Sequence, residues 1–238
     1  MSSNTVRRIA ALAAAAALPA GLLMTGVGAG VANAADPACP QTSHTTKNDG
    51  STWGVTHTYD KSVAVTEAAA GTNVTYKIVV GTTGIGNPFV WSIWDYPPAG
   101  FGKPISAKVT AYHAVLGQQT EAVTPEPIED GWSVNSTGWR VDSGNPVTAE
   151  FTYKVPDNIA AGTKVFSGGM ASGGTVGVGT TQLGLSSCFT ARAKNPGEAA
   201  LGSLDGAGLG SSEGQMSSTG SISDVLGDTI TRVLKNGS

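Results

Sequence analysis

Between Gly71 and Val80 the side chains alternate: Val74, Tyr76, Ile78 and Val80 share one parity, while Thr75, Lys77 and Val79 share the other. Period-two alternation is the pattern of a strand with one buried face. A Gly/Thr/Asn/Pro cluster from Gly81 to Pro88 ends that strand, because these residues favour turns over ladders. A second apolar run, Phe89 to Trp94, stops at Asp95-Tyr96-Pro97-Pro98, where the prolines remove backbone donors. Strand-like segments also occur at Trp53–Tyr59, Ser62–Thr66, Ile105–Tyr112, Val147–Val155, Lys164–Met170 and Thr175–Ala191. In the clearest, Val147, Ala149, Phe151, Tyr153 and Val155 face one side, and Thr148, Glu150, Thr152 and Lys154 the other. Short strands at regular spacing predict an all-β antiparallel sandwich or barrel. The glycines from Gly168 to Gly179 predict bulges or a hairpin tip, since glycine weakens a strand interior.

The two ends of the chain read differently. Residues 1–34 pair Arg7 and Arg8 with an alanine-rich apolar run and an Ala32-Asn33-Ala34 site, the layout of a cleaved Sec-type signal peptide. That expectation makes the protein secreted or envelope-associated, with no transmembrane anchor after cleavage. The predicted domain spans residues 35–193. Residues 194–220 are a Gly/Ser-rich stretch without periodicity and read as a linker. Over 221–236, Ile222, Val225, Leu226, Ile230, Val233 and Leu234 fall on one face at helical spacing. Such a short amphipathic helix needs a surface to fold against: its own domain, or a docking partner.

Charge and cysteines narrow the setting. Without the two leader arginines, twelve basic residues stand against seventeen acidic ones, a net charge of −5. An acidic chain without a basic run argues against nucleic acid as a partner. The two cysteines, Cys39 and Cys188, are expected to form a disulfide in an oxidising compartment, the alternative being two unpaired thiols. Neither has a second cysteine or a histidine at ligand spacing, so no metal site is expected.

Catalytic chemistry has little to work with. His44, His57 and His113 are isolated, and the acids Glu126, Glu129 and Asp130 fall in a proline-flanked loop. No nucleophile elbow, metal-binding repeat or phosphate-binding loop is present, so neither an enzyme nor a cofactor is expected. The aromatics are denser. Trp91 and Ile93 share one parity, Trp94 and Tyr96 the other, and one set should be core. The other set, extended by Trp132 and Trp139, is a candidate platform for sugar rings, set against plain use of Trp in a β core.

Val65-Thr66, Ala70-Gly71, Val74-Thr75-Tyr76-Lys77-Ile78-Val79-Val80 and Asp95-Tyr96-Pro97-Pro98-Ala99-Gly100 together resemble the DUF11-type immunoglobulin-like repeat of secreted and surface bacterial proteins. Phe151 to Pro156 and Ala161-Gly162-Thr163 are similar to its closing strands, so the resemblance covers residues 61 to 190. The leader and tail are similar in composition to actinobacterial secreted proteins. The resemblance implies an immunoglobulin-like β-sandwich serving as a spacer, stalk or adhesive unit. The expected function is therefore a non-catalytic extracellular or cell-envelope module, structural or adhesive. The alternative is a carbohydrate-binding module, and the expected partner is an envelope protein or polysaccharide.

Overall fold

The computed structural model describes residues 38–50, 54–84, 87–113 and 115–199. The leader (1–34) and the expected helix of Ile222, Val225, Leu226, Ile230, Val233 and Leu234 lie outside the described residues, as does the linker beyond Ala199.

The described chain is all-β apart from one helical turn. Its strands begin with β1 (Thr42–Asp49), β2 (Val55–Val63), β3 (Glu67–Ala69), β4 (Asn73–Thr82) and β5 (Phe89–Asp95). They continue with β6 (Ser106–His113), β7 (Gly117–Val123), β8 (Glu126–Ile128), β9 (Gly131–Arg140) and β10 (Val147–Lys154). The last are β11 (Lys164–Phe166), β12 (Met170–Gly174), β13 (Thr180–Gln182) and β14 (Cys188–Arg192). One curled antiparallel sheet runs β1-β2-β4-β10-β6-β9-β5-β12-β13, with β7 on β6 and β8 on β9. A small second sheet, β11-β14-β3, contains the parallel pair β14–β3.

Alternation explains the core. The inward parity of β4 and β10 supplies Val74, Tyr76, Ile78, Val80, Val147, Phe151 and Tyr153, all buried. These meet Val90 and Ile93 of β5, Val134 and Trp139 of β9, Met170 of β12 and Phe189 of β14 in one cluster. Each such side chain contributes about 1.5–3 kcal/mol by leaving water. The segments expected separately at Trp53–Tyr59 and Ser62–Thr66 instead lie mostly in one continuous strand, β2. β1 and β7 carry too few apolar residues to be legible as strands; each lies at an edge, paired to β2 and β6 respectively.

Cys39 and Cys188 form the expected disulfide across a separation of 149 residues. It ties the segment before β1 to the start of β14, beside the Cys188 N–H donating to Pro40 O. Closing a loop of that length stabilises the fold by up to about 5 kcal/mol on chain-entropy grounds.

The glycine-rich segment after β12 is held by side chains acting on successive carbonyls. Lys47 Nζ donates to Gly177 O and Gly179 O, and His57 Nε2 to Val176 O. Tyr59 OH and Ser172 Oγ both donate to Val178 O. Val176 has φ 53°, a strained conformation for a β-branched residue, which those bonds hold in place. At the other end, Arg192 grips Glu198 through two contacts of 2.7 and 2.6 Å. Asn195 and Glu198 bond each other's backbone N–H reciprocally, the arrangement of a capping box, and open the helical turn at 196–199.

Candidate functional site

β5 has two chemically different faces, and a bulge sets them apart. Its register with β9 shifts between Val90 and Ser92, and its register with β12 shifts between Gly173 and Gly174. Against β12, Trp91 is the extra residue of a β-bulge, while against β9 the surplus lies on β9, where residues 136–138 face Trp91 alone; side chains on either side of this irregularity change parity. The expectation that Trp91 and Ile93 share a face is overturned: Trp91 is 45% exposed and Ile93 fully buried. The bulge instead brings Phe89, Trp91 and Trp94 to the outer face, and leaves Val90, Ile93 and Asp95 inside.

The outer face is organised in cross-strand rows. Tyr112, Arg140 and Phe89 form one row. Asn135, Ser92 and Gly173 form the next, with Trp91 beside them. Glu126, Ser133, Trp94, Ala171 and Thr181 form the third. The exposed rings lie close on backbone that only glycine permits. A Cβ at Gly173 would sit 2.8 Å from Trp91 Nε1, and one at Gly138, whose φ is 139°, would sit 3.3 Å from Phe89 Cδ1. Polar groups flank the rings. Asn135 Nδ2 donates to Glu126 Oε2 at 2.9 Å. Arg140 pairs with Asp142 at 3.5 Å and lies over the Tyr112 ring. Hydrogen bonds from Gly144 N–H and Asn145 hold the Asp142 carboxyl below the usual carboxylate range.

The other aromatic candidates are elsewhere. Trp139 pairs with Val90 on the inner face and is 3% exposed, its Nε1 donating to Glu121 Oε1 at 2.8 Å. It is a core residue, and no part of a platform. Trp132 packs against the core opposite Asp95. With Tyr96, Phe101, Pro98, Pro127 and Asp130 it lines a groove of about 930 Å³. The five aromatic candidates thus divide between the outer face (Trp91, Trp94), the groove (Tyr96, Trp132) and the core (Trp139).

Beneath the groove lies a constellation that the sequence reading missed. β2 presents His57, Tyr59 and Lys61 inward, all fully buried. Lys61 Nζ lies 2.6 Å from Asp95 Oδ1, and both side chains are 0% exposed. The amine also donates to Tyr96 O, Gly168 O and Gly169 O at 2.9, 2.9 and 2.7 Å. Asp95 Oδ2 accepts from Tyr153 OH at 2.5 Å. Gly168 and Gly169 are what let those carbonyls come so near, since a Cβ on Gly168 would meet Tyr96 Cβ at 2.8 Å. Burial pulls the Lys61 ammonium below its ordinary value, with Asp95 partly opposing. Burial, then the Asp95 charge, raises the Tyr153 and Tyr76 hydroxyls, so both stay protonated at any ordinary pH. The signal available in the sequence was Lys61 on the inward parity of a strand otherwise apolar or aromatic there.

His44 pairs with Asp60 at the surface, its Nδ1 2.7 Å from Oδ1. Among the described residues no group of three or more His, Cys, Asp or Glu side chains is placed to hold a metal ion, and no helix is long and apolar enough to cross a membrane.

No protein-family model matches the chain, and no curated protein does. Solved structures give distant likenesses. Spo0M, a sporulation control protein from Bacillus subtilis, is 9% identical over 63% of this chain and 55% of its own, with a TM-score of 0.32. The chain thus spans about half of that protein's length. The RrgA Jo.In complex is 9% identical over 63% of this chain and 96% of that one, with a TM-score of 0.34. A family 123 glycoside hydrolase from Clostridium perfringens is 13% identical over 58% of this chain and 27% of that one, with a TM-score of 0.28. Likenesses this distant carry no functional argument.

Proposed function

We propose that this chain is an exported, non-catalytic immunoglobulin-like β-sandwich of the cell envelope or its surroundings, and that it adheres to polysaccharide through the outer face of β5. The observation that carries the reading is the pair of exposed rings, Phe89 and Trp91 at 45% each, set on glycine backbone with Trp94 on the same face. A sugar offers an apolar C–H face that stacks on an aromatic ring and hydroxyls that bond planar polar groups; Asn135, Glu126 and Arg140 supply the latter. The Cys39–Cys188 disulfide and the signal-like leader support export. The acidic charge suits a neutral or cationic glycan better than a nucleic acid.

The test is tryptophan fluorescence with acrylamide quenching during titration with cell-wall polysaccharides. Glycan binding should shield the exposed indole and shift its emission to the blue, and Trp91→Ala should abolish the response. A wild-type protein silent to every glycan would leave a structural module without a sugar site.

A further inference from the structure

We propose that Lys61 and Asp95 condense to an amide, a covalent Nζ–Cγ cross-link joining β2 to β5 in the core. It does not depend on the polysaccharide reading, because it concerns the opposite face of β5.

The geometry is that of reactants already assembled. The nitrogen is 2.6 Å from Asp95 Oδ1, yet Oδ1 accepts no hydrogen bond. The three N–H donors are directed to the carbonyls of Tyr96, Gly168 and Gly169 instead. A nitrogen at that range that spends its N–H groups on other acceptors stands against the carboxyl group without being hydrogen-bonded to Oδ1. Holding amine and carboxyl at such a separation replaces a bimolecular encounter with an intramolecular one, where effective molarities reach about 10⁵–10⁸ M. Neither side chain is exposed, so bulk water is kept from the product. Burial disfavours the charged amine, which raises the share of neutral nucleophile.

The step balances. One ammonium proton passes to the carboxylate, giving a neutral amine and a neutral acid. The Nζ lone pair adds to Cγ and the C=O π bond opens onto oxygen. Tyr153 OH, hydrogen-bonded to Oδ2 and kept protonated by its burial, steadies the charge that develops there. A second nitrogen proton passes to the departing oxygen, the C–O bond breaks and one water leaves. Nothing is oxidised or reduced. The amide keeps one N–H for the surrounding carbonyls and removes two buried charges, whose desolvation an ion pair offsets only in part. Since β2 and β5 lie far apart in the order of the curled sheet, the bond would link its two arms, as the disulfide links the ends of the domain.

The test is a protease digest of the purified chain, reduced and denatured, read by mass spectrometry. The fragments bearing Lys61 and Asp95 should appear joined, lighter together by one water, with no tryptic cleavage after Lys61. Two separate unmodified fragments, cut after Lys61, would overturn the proposal whatever any variant does. In Lys61→Arg, whose guanidinium cannot form this amide, the joined species should vanish; its persistence would place the cross-link elsewhere and also overturn it.

Discussion

The two faces of β5 solve different problems within a few residues of each other. Its inner end buries Asp95 completely, so the polar atoms around it depend on partners in the protein. Lys61 lies against Asp95 and donates to the Tyr96, Gly168 and Gly169 carbonyls, and Tyr153 donates to Oδ2. Its outer face places Phe89 and Trp91 in solvent, where the rings need no partner and require only room, which Gly138 and Gly173 provide. The inner face rests on the Lys61–Asp95 contact, and removing one partner alone leaves the other buried without it. The outer face is held by the bulge and can lose a ring without the fold noticing. That asymmetry separates what keeps the domain together from what it presents to solvent.

The contrast is sharpest at Lys61. Replacing it with Met strands a buried carboxylate and should destabilise the domain by about 3–5 kcal/mol, measured by urea denaturation. Pairing it with Asp95→Leu should recover part of that loss, since no buried carboxylate is then left unpaired. A single variant costing less than about 1 kcal/mol would break the distinction between the faces.

Gly173→Val probes the junction. Its side chain would drive into Ser92 and the Trp91 indole, and overpacking of this kind costs about 1–3 kcal/mol. Equal stability to wild type would mean that the outer rings do not rest on the sheet as described. Trp91→Ala should move stability by no more than about 0.5 kcal/mol, the range of surface changes. It should nonetheless weaken polysaccharide binding by about 2 kcal/mol, the size of a hot-spot residue, read by calorimetry. A large stability loss with binding intact would invert the roles of the two faces.

The smallest effect lies outside both, at the Arg192–Glu198 pair. The Arg192 hydrogen bonds hold the Glu198 carboxyl below its ordinary value. A depressed folded pKa means the contribution is present above the ordinary carboxylate range and is lost as pH falls through the folded value. The protection factor of the Ala199 amide, whose N–H bonds Asn195 O, should therefore fall in acid while those of the core amides of β10 do not change.

Local chemistry made much of this legible from the chain alone. β4 and β10 could be read because one buried face and one polar face enforce period two. β1 could not, because an edge strand such as Thr42–Asp49 has little to bury and carries no apolar rhythm. β9 was obscured by Ser136 to Gly138, which lie opposite the β5 bulge and interrupt its alternation. The aromatic cluster was visible, but its division among face, groove and core was not.

By itself, the sequence determined that the chain is β-structured, that Cys39 and Cys188 would pair, and that the aromatics concentrate around Trp91 and Trp94. All three follow from local periodicity, the presence of just two cysteines, and composition. Only the tertiary structure decided which aromatics face solvent, because one bulged residue reverses parity and a bulge is defined by the strands alongside. Only the tertiary structure brought Lys61 to Asp95, because strands far apart in sheet order meet only when the sheet curls onto its own inner face.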